Sequence, residues 1–95
     1  MNQINNNDHL IHNPESIFRQ EEDGAFLFHP ETGNLKYINQ MGVILYQLLD
    51  GAMSTSDIIA TLKEKYADIP GEQIEKDVKK FLADLVEMEF LIKKV

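Results

Sequence analysis

The feature that most constrains this chain is a change of hydrophobic period between Leu35 and Gly51. Residues 35–38 follow the two-residue alternation of a β-strand, whereas from Met41 the apolar residues recur at the three- and four-residue spacing of a helix. Asn39 lies at the change, and its side-chain amide can accept hydrogen bonds from the free N–H groups of a first helical turn. The stretch therefore predicts a strand that continues directly into a helix, which Gly51 ends by taking a left-handed conformation.

Composition limits the classes of protein that the chain can belong to. With 95 residues, of which 43% are hydrophobic, it can form one small domain around one core. The absence of cysteine excludes disulfides, thiolate metal sites and cysteine nucleophiles. A formal net charge of −7 disfavours nucleic acid as a partner, and no apolar run approaches the ~20 residues that span a bilayer. We expect a cytoplasmic protein without a membrane partner.

The N-terminal segment differs in composition from the rest of the chain. Residues 1–13 are polar and rich in asparagine, and a segment that buries little apolar surface cannot offset the entropy of ordering. We therefore predict a disordered tail over 1–13 and a folded domain over 14–95. His9 and His12 form a His-x-x-His pair in the tail, but no third ligand follows nearby, so we expect neither a metal site nor a cofactor.

Two reversals of direction precede the central stretch. Asp23-Gly24 separates two β-prone runs, which favours a tight type I′ hairpin with positive φ at both residues. A second turn over residues 30–34 contains Pro30 and Gly33. Together with the strand that starts at Leu35, these signals predict a three-stranded antiparallel meander. Both faces of the middle strand carry apolar side chains, so the pattern leaves open which face is buried.

Three helices are predicted after the sheet. The first follows Asn39, the second begins after Ser54 with Asp57 three residues on as a capping partner, and the third runs from about Glu72 to Met88. The residues of the third helix that we expect to face the core are Ile74, Val78, Phe81, Leu82 and Leu85. The predicted fold class is α+β, with the order β-β-β-α-α-α.

This order, and the residues at its joints, resemble the PqqD-like family, the precursor-peptide recognition elements of ribosomal peptide modification pathways. The resemblance covers about Ile17 to Leu91 and rests on Gly33, Ile38-Asn39, Ile44, Leu48-Leu49-Asp50-Gly51, Thr55, Ile58-Ile59, Leu62, Tyr66, Asp77-Val78 and Phe81-Leu82. It implies a winged-helix-like fold without catalysis of its own. It also implies a chaperone that binds the leader of a precursor peptide and presents it to a modifying enzyme, often a radical SAM enzyme.

A peptide could be bound by the third strand if that strand lies at an edge of the sheet, because its outer N–H and C=O groups would then be free for strand addition. The predicted peptide-binding residues are Leu35, Lys36, Tyr37, Ile38 and Asn39 on this strand, and Lys76, Lys79, Ala83 and Val86 on one flank of the third helix. The helix flank, Lys36 and Tyr37 each have an ordinary alternative. The helix flank can be a mixed solvent-facing surface, Lys36 can guard an edge against unwanted pairing, and Tyr37 can belong to the core.

Two alternatives to a peptide-binding protein are a DNA-binding regulator and an enzyme. A winged-helix DNA-binding regulator has the same kinds of element, but phosphate contacts need clustered cations, and the second and third predicted helices mix lysines with carboxylates. An enzyme needs a nucleophile or an acid–base pair, and His29 has no such partner near it in sequence. We therefore predict no catalytic residue.

Overall fold

The computed structural model describes residues 4–94. Its elements are β1 (Leu10–His12), β2 (Ile17–Gln20), β3 (Gly24–Phe28), β4 (Leu35–Asn39), α1 (Gln40–Gln47), α2 (Thr55–Lys65), α3 (Gly71–Glu87) and β5 (Leu91–Lys93). Strands β2, β3 and β4 form an antiparallel sheet in that order, and β1 pairs antiparallel with β5 in a second, two-stranded sheet. The α+β class and the predicted meander are confirmed. No helix in the described range is long and apolar enough to cross a membrane.

The capping signals correctly located the starts of α1 and α2. The Asn39 Oδ1 atom accepts a hydrogen bond of 2.9 Å from the Gly42 N–H. Ser54 and Asp57 form a reciprocal capping box at the start of α2. Helix α3 begins at Gly71, one residue before the prediction. Gly51 has the expected positive φ of 86°, but the prediction that it ends the first helix is wrong, because α1 ends at Gln47 and its C-cap is Leu48 in the right-handed region. These local signals work because free N–H groups at a helix start must find an acceptor nearby.

The hairpin between β2 and β3 is correctly placed, but its expected type I′ geometry is wrong. Among the described residues only Gly33, Gly51 and Glu89 have positive φ, and Gly24 is the first residue of β3. The glycine is needed for space instead, because a Cβ atom at Gly24 would overlap the carbonyl oxygen of Ile38 on the neighbouring strand.

The inner face of the three-stranded sheet packs on the helices. Ala25 and Leu27 of β3 and Ile38 of β4 are buried on this face. The helices contribute most of the remaining core through Val43, Leu45, Tyr46, Ile58, Ile59, Leu62, Ile74, Val78, Leu82 and Leu85. The other buried apolar residues, outside the helices, are Ile4, Leu10, Leu49, Phe90 and Leu91. Phe81, which the periodicity assigned to the core, is only half-buried. It therefore lies at the border of the core and can contact a ligand.

The prediction of a disordered tail over 1–13 does not fit the described part of that segment. Ile4 and Leu10 are buried, and Leu10–His12 pairs with Leu91–Lys93. The Asp8 carbonyl oxygen accepts hydrogen bonds from both the N–H and the hydroxyl of Thr55. The sequence pattern missed this because the pairing partner lies some eighty residues away and each strand has only three residues. From Ile4 onward the segment is part of the packed unit.

Tyr46 attaches this segment to α1. The His12 ring stacks on the Tyr46 ring with centroids 3.8 Å apart, and Phe18 stacks at 5.3 Å. The His12 Nε2 atom lies 2.6 Å from the Tyr46 carbonyl oxygen. Burial raises the pKa of the Tyr46 phenol above its ordinary value of 10.0, and a hydrogen bond with Ser16 opposes this more weakly. The buried phenol therefore favours its neutral form.

Truncation of Leu10 distinguishes a packed N-terminal segment from a loose one. Because Leu10 is 1% exposed, Leu10→Ala should lower the free energy of unfolding by roughly 2–5 kcal/mol. The measurement is urea denaturation followed by circular dichroism. Asn7→Ala, at an exposed position of the same segment, is the control and should change stability by less than about 0.5 kcal/mol. Equal stabilities for Leu10→Ala and the native chain would instead support the prediction of a disordered tail.

The ionisation of Tyr46 should make stability fall at alkaline pH. The phenol of Tyr46 loses its proton near pH 10 in the unfolded chain and at higher pH in the folded one. The contribution of Tyr46 to the free energy of unfolding is therefore complete below pH 10 and is lost as the pH rises through the folded pKa. The Tyr37→Phe, Tyr66→Phe double variant leaves Tyr46 as the only tyrosine. Its tyrosinate absorbance should titrate above the midpoint of the same protein unfolded in urea. Coincident midpoints would contradict a buried phenol.

Candidate functional site

Strand β4 is an edge strand. In the order β2-β3-β4 it pairs with β3 on one side, and no other strand of residues 4–94 pairs with its outer side. The sequence left this point open. The edge position that strand addition needs is therefore present at residues 35–39.

The hydrogen-bonding register identifies which backbone groups face outward. The His29 N–H donates to the Asn34 carbonyl oxygen, and the Glu21 N–H donates to the Gly24 carbonyl oxygen. Because antiparallel partners alternate between bonded and non-bonded pairs, Lys36 and Ile38 direct their backbone groups toward β3. The N–H and C=O groups of Leu35 and Tyr37 consequently point away from the sheet, where an incoming strand can bond them.

The side chains of β4 divide between two faces. Leu35 and Tyr37 are 60% and 48% exposed on the outer face, whereas Ile38 is buried on the inner face toward the helices. The Tyr37 ring packs edge-on against Phe26, and its hydroxyl donates to the Asp23 carbonyl oxygen at 3.2 Å. Tyr37 is thus not a core residue, but these two contacts hold its side chain against the sheet.

A cleft lies where β4 passes into α1, and α3 forms its opposite wall. Its volume is about 250 Å³. Its lining combines apolar side chains with an amide and a carboxylate at its rim, and consists of Asn39, Met41, Gly42, Leu45, Asp77, Val78 and Phe81. A strand added to β4 would direct alternate side chains into the space on this inner side. The cleft is suited to a mainly apolar side chain.

Gly42 is required for the shape of this cleft. A Cβ atom there would lie 3.0 Å from the Ile38 Cβ atom and 3.2 Å from the Phe81 Cε1 atom. Both contacts are tighter than ordinary van der Waals distances, so a side chain at Gly42 would press on the Phe81 ring. The glycine lets α1 approach β4 and α3 closely enough to form the narrow cleft.

The structure does not bring the predicted flank of α3 to β4. Lys79 lies 3.8 Å from Glu75, which is also 3.9 Å from Lys63 of α2, so this flank faces α2. At about 100° per residue, the other three predicted residues, Lys76, Ala83 and Val86, lie closer to Lys79 than to Phe81 around the helix. The flank beside β4 carries Asp77 and Phe81 instead. Periodicity indicated two flanks of α3, but only the docking of the helix decides which one borders β4.

The charges near β4 are mixed. Lys36 is half-buried on the face that carries Ile38, and no carboxylate of residues 4–94 forms an ion pair with it. Asp77 accepts a hydrogen bond of 2.9 Å from Gln73, and Lys80 pairs with Asp84 at 3.3 Å. Lys36 is therefore the cation next to the edge that is available to a ligand carboxylate.

The three histidines have structural contacts. The Nδ1 atom of His9 lies 3.0 Å from the Gly51 carbonyl oxygen, and His12 contacts Tyr46 as described above. His29 is buried and its Nδ1 atom accepts from the backbone N–H groups of Glu31 and Thr32. Within residues 4–94, no three His, Asp or Glu side chains are grouped as metal ligands would be.

Met41, Gly42, Asp77 and Phe81 line the cleft beside β4, and sequence reasoning did not assign them to the candidate site. Asp77 and Phe81 belong to the motifs that resemble the family, but their position beside β4 depends on how α3 packs. Gly42 offered a signal, since a glycine inside a helical stripe needs a packing reason. The close approach in the structure supplies that reason.

Comparison with known proteins identifies similar chains. The family model for coenzyme PQQ synthesis protein D (PqqD) matches residues 24–91, from the start of β3 to the first residue of β5. A protein of Kluyvera intermedia described as a PqqA binding protein is 29% identical over 70 residues, which are 74% of this chain and 72% of that protein.

Two solved structures have the same fold. The structure of TbiB1 in complex with the TbiA(β) leader peptide has a TM-score of 0.75 and covers 90% of this chain and 98% of that one. A lasso peptide synthetase B1 complexed with the leader peptide has a TM-score of 0.76 and covers 88% and 98%, respectively. Each is 20% identical in sequence to this chain, so the similarity is one of fold.

Proposed function

Because the chain belongs to the PqqD family, we propose that it binds the leader segment of a ribosomally made precursor peptide and presents that peptide to a modifying enzyme. The observation that carries the proposal is the free outer edge of β4 beside a cleft walled by α3. The relative described as a PqqA binding protein and the two leader-peptide complexes support the same class of ligand.

The ligand adds to β4 as a fourth strand. Its backbone bonds the outward N–H and C=O groups of Leu35 and Tyr37, which gives affinity that does not depend on the peptide's side chains. Selectivity comes from side chains that alternate between two faces. Those on the inner side enter the cleft beside Gly42 and Phe81, and a ligand carboxylate meets Lys36.

The protein acts without catalysis and without a cofactor in this proposal. Its partners are the precursor peptide and the modifying enzyme, with a radical SAM enzyme as the enzyme class that the family resemblance implies. The protein works in the cytoplasm, where ribosomes make its ligand. Neither nucleic acid nor membrane takes part.

The alternative of a winged-helix DNA-binding regulator is less well supported. The described ion pairs intersperse lysines with carboxylates: Lys63 and Lys79 flank Glu75, and Lys80 pairs with Asp84. A phosphate-binding face needs cations that are clustered and available. A salt-dependent mobility shift on duplex DNA would support this alternative and would count against the peptide proposal.

The direct experiment uses a fluorescently labelled candidate precursor peptide, chosen from the short open reading frames near the gene for this chain. We expect binding with Kd of ~1 µM or tighter, equivalent to about −8 kcal/mol. In amide-correlation spectra the largest shifts should fall on residues 35–39 and on Gly42, Asp77 and Phe81. Shifts confined to Lys76, Lys79, Ala83 and Val86 would assign the peptide to the other flank of α3.

A proline at Leu35 tests strand addition itself. The Leu35 N–H points outward, so Leu35→Pro removes a donor for the ligand without removing a bond to β3, as an edge strand tolerates. Loss of one backbone hydrogen bond should weaken peptide binding by about fivefold to tenfold. Leu35→Ala is the matched control, because it removes the side chain and keeps the N–H. Equal affinities of the two variants would exclude backbone pairing at this position.

A pair of truncations on α3 tests which flank contacts the peptide. Phe81 and Val86 are both half-buried on this helix, on opposite flanks. Phe81→Leu should weaken peptide binding by roughly fivefold, because aromatic contact is worth about 0.5–1.5 kcal/mol beyond area. Val86→Ala should leave the Kd nearly unchanged. Titration calorimetry measures both, and the reverse order of effects would show that the Lys79 flank holds the peptide.

A further inference from the structure

The outer face of the three-stranded sheet is apolar and exposed. Four of its side chains are large hydrophobic groups with exposed fractions between 38% and 60%: Ile17, Phe28, Leu35 and Tyr37. The face of an antiparallel sheet that remains in water usually carries polar side chains. An exposed apolar patch on a small domain is typical of an interaction surface.

The register arranges these side chains in two rows across the sheet. Ile17 pairs with Phe28, which pairs with Leu35, and Arg19 pairs with Phe26, which pairs with Tyr37. A depression of about 450 Å³ lies among Ile17, Arg19, Phe26, Phe28 and Leu35. This is a different surface from the cleft beside α3, because the two lie on opposite faces of β4.

We propose that this outer face, extended by the bound peptide, docks the enzyme that modifies the peptide. The inference rests on the proposed function, since the peptide strand adds at β4, where both rows end. Alternate side chains of that strand would continue the rows beyond Leu35 and Tyr37. An enzyme that covers the outer face therefore also contacts the peptide.

The size of the patch favours this occupant over a second copy of the chain. Large side chains of this kind present on the order of 200 Å² each, so the four exposed fractions leave roughly 400 Å² of accessible apolar surface. A stable protein pair buries about 800 Å² on each partner. The patch supplies about half of that area, and the peptide strand enlarges it only when the peptide is bound.

The ends of the outer face indicate the chemistry of the partner. Carboxylates lie in both turns that border it: Glu22 and Asp23 between β2 and β3, and Glu31 between β3 and β4, all exposed. Glu21 forms a 2.9 Å ion pair with Arg19 on the face itself. The complementary enzyme surface is apolar at its centre with lysine or arginine residues around it.

Ile17→Glu tests the docking surface without touching the peptide site. Ile17 lies on β2, two strands from the β4 edge, and is 51% exposed. The probes are a precursor peptide that the native chain binds and a candidate modifying enzyme chosen from the genes near that of this chain, both purified. The variant should bind the peptide as the native chain does, whereas the affinity of its peptide complex for the enzyme should fall about tenfold or more. Peptide modification, followed by mass spectrometry, should slow accordingly.

Ala60→Glu is the matched control, because it places the same new charge at an exposed position of α2. It should leave both affinities unchanged. Ile17→Asn removes the apolar side chain without adding charge and should retain most of the loss. Thermal unfolding of each variant checks that the sheet is intact. Undiminished enzyme affinity in both Ile17 variants would overturn the inference.

Two further outcomes separate this inference from the proposed function. If the native chain does not bind the peptide, the proposed function fails and this inference fails with it. If the peptide binds but the enzyme associates equally well without it, the composite surface is wrong while peptide binding stands. Sedimentation of the native chain alone tests whether two copies of it associate through this face. A stable dimer that Ile17→Glu dissociates would assign the face to a second copy and overturn the docking of the enzyme.

Discussion

The direct passage of β4 into α1 is the constraint on which the site depends. Asn39 is both the last residue of the strand and the N-cap of the helix, and its side chain bonds the Gly42 N–H. Because no loop separates the two elements, the position of α1 relative to the sheet edge is set by one residue. Gly42 then lies against Ile38 and Phe81, which places α3 opposite the end of the strand.

This join also separates the two faces of β4 chemically. The inner face meets the helices through the buried Ile38, while the outer face presents Leu35 and Tyr37 to solvent. A ligand strand at this edge would therefore take part in two surfaces, a cleft on one side and an apolar sheet face on the other. The alternation of side chains along a strand is the physical reason that one short edge can serve both.

Strands β1 and β5 pair in a sheet that is separate from the one containing β4. Leu10 and Leu91 are buried where β1 pairs with β5. A separate contact lies near β4, where the Asn34 side chain donates a hydrogen bond to the Met88 carbonyl oxygen at the end of α3. The latter contact ties the turn before β4 to the helix that walls the cleft. The separation between β4 and α3 is thus held at both ends, by Asn34 and Met88 at one and by Gly42 and Phe81 at the other.

Local signals in the sequence determined the order of the meander and the three helices, and the caps at Asn39 and Ser54, because each depends on residues within a few positions of one another. Only the tertiary structure decided that β4 is an edge, that β1 pairs with β5, and that Asp77 and Phe81 rather than Lys76 and Lys79 face β4. Periodicity predicts which residues of a helix are buried, but it does not predict which other element lies next to each flank of that buried stripe. Pairing between short, distant strands likewise leaves no local pattern, because its free energy comes from contacts that exist only once the chain has folded.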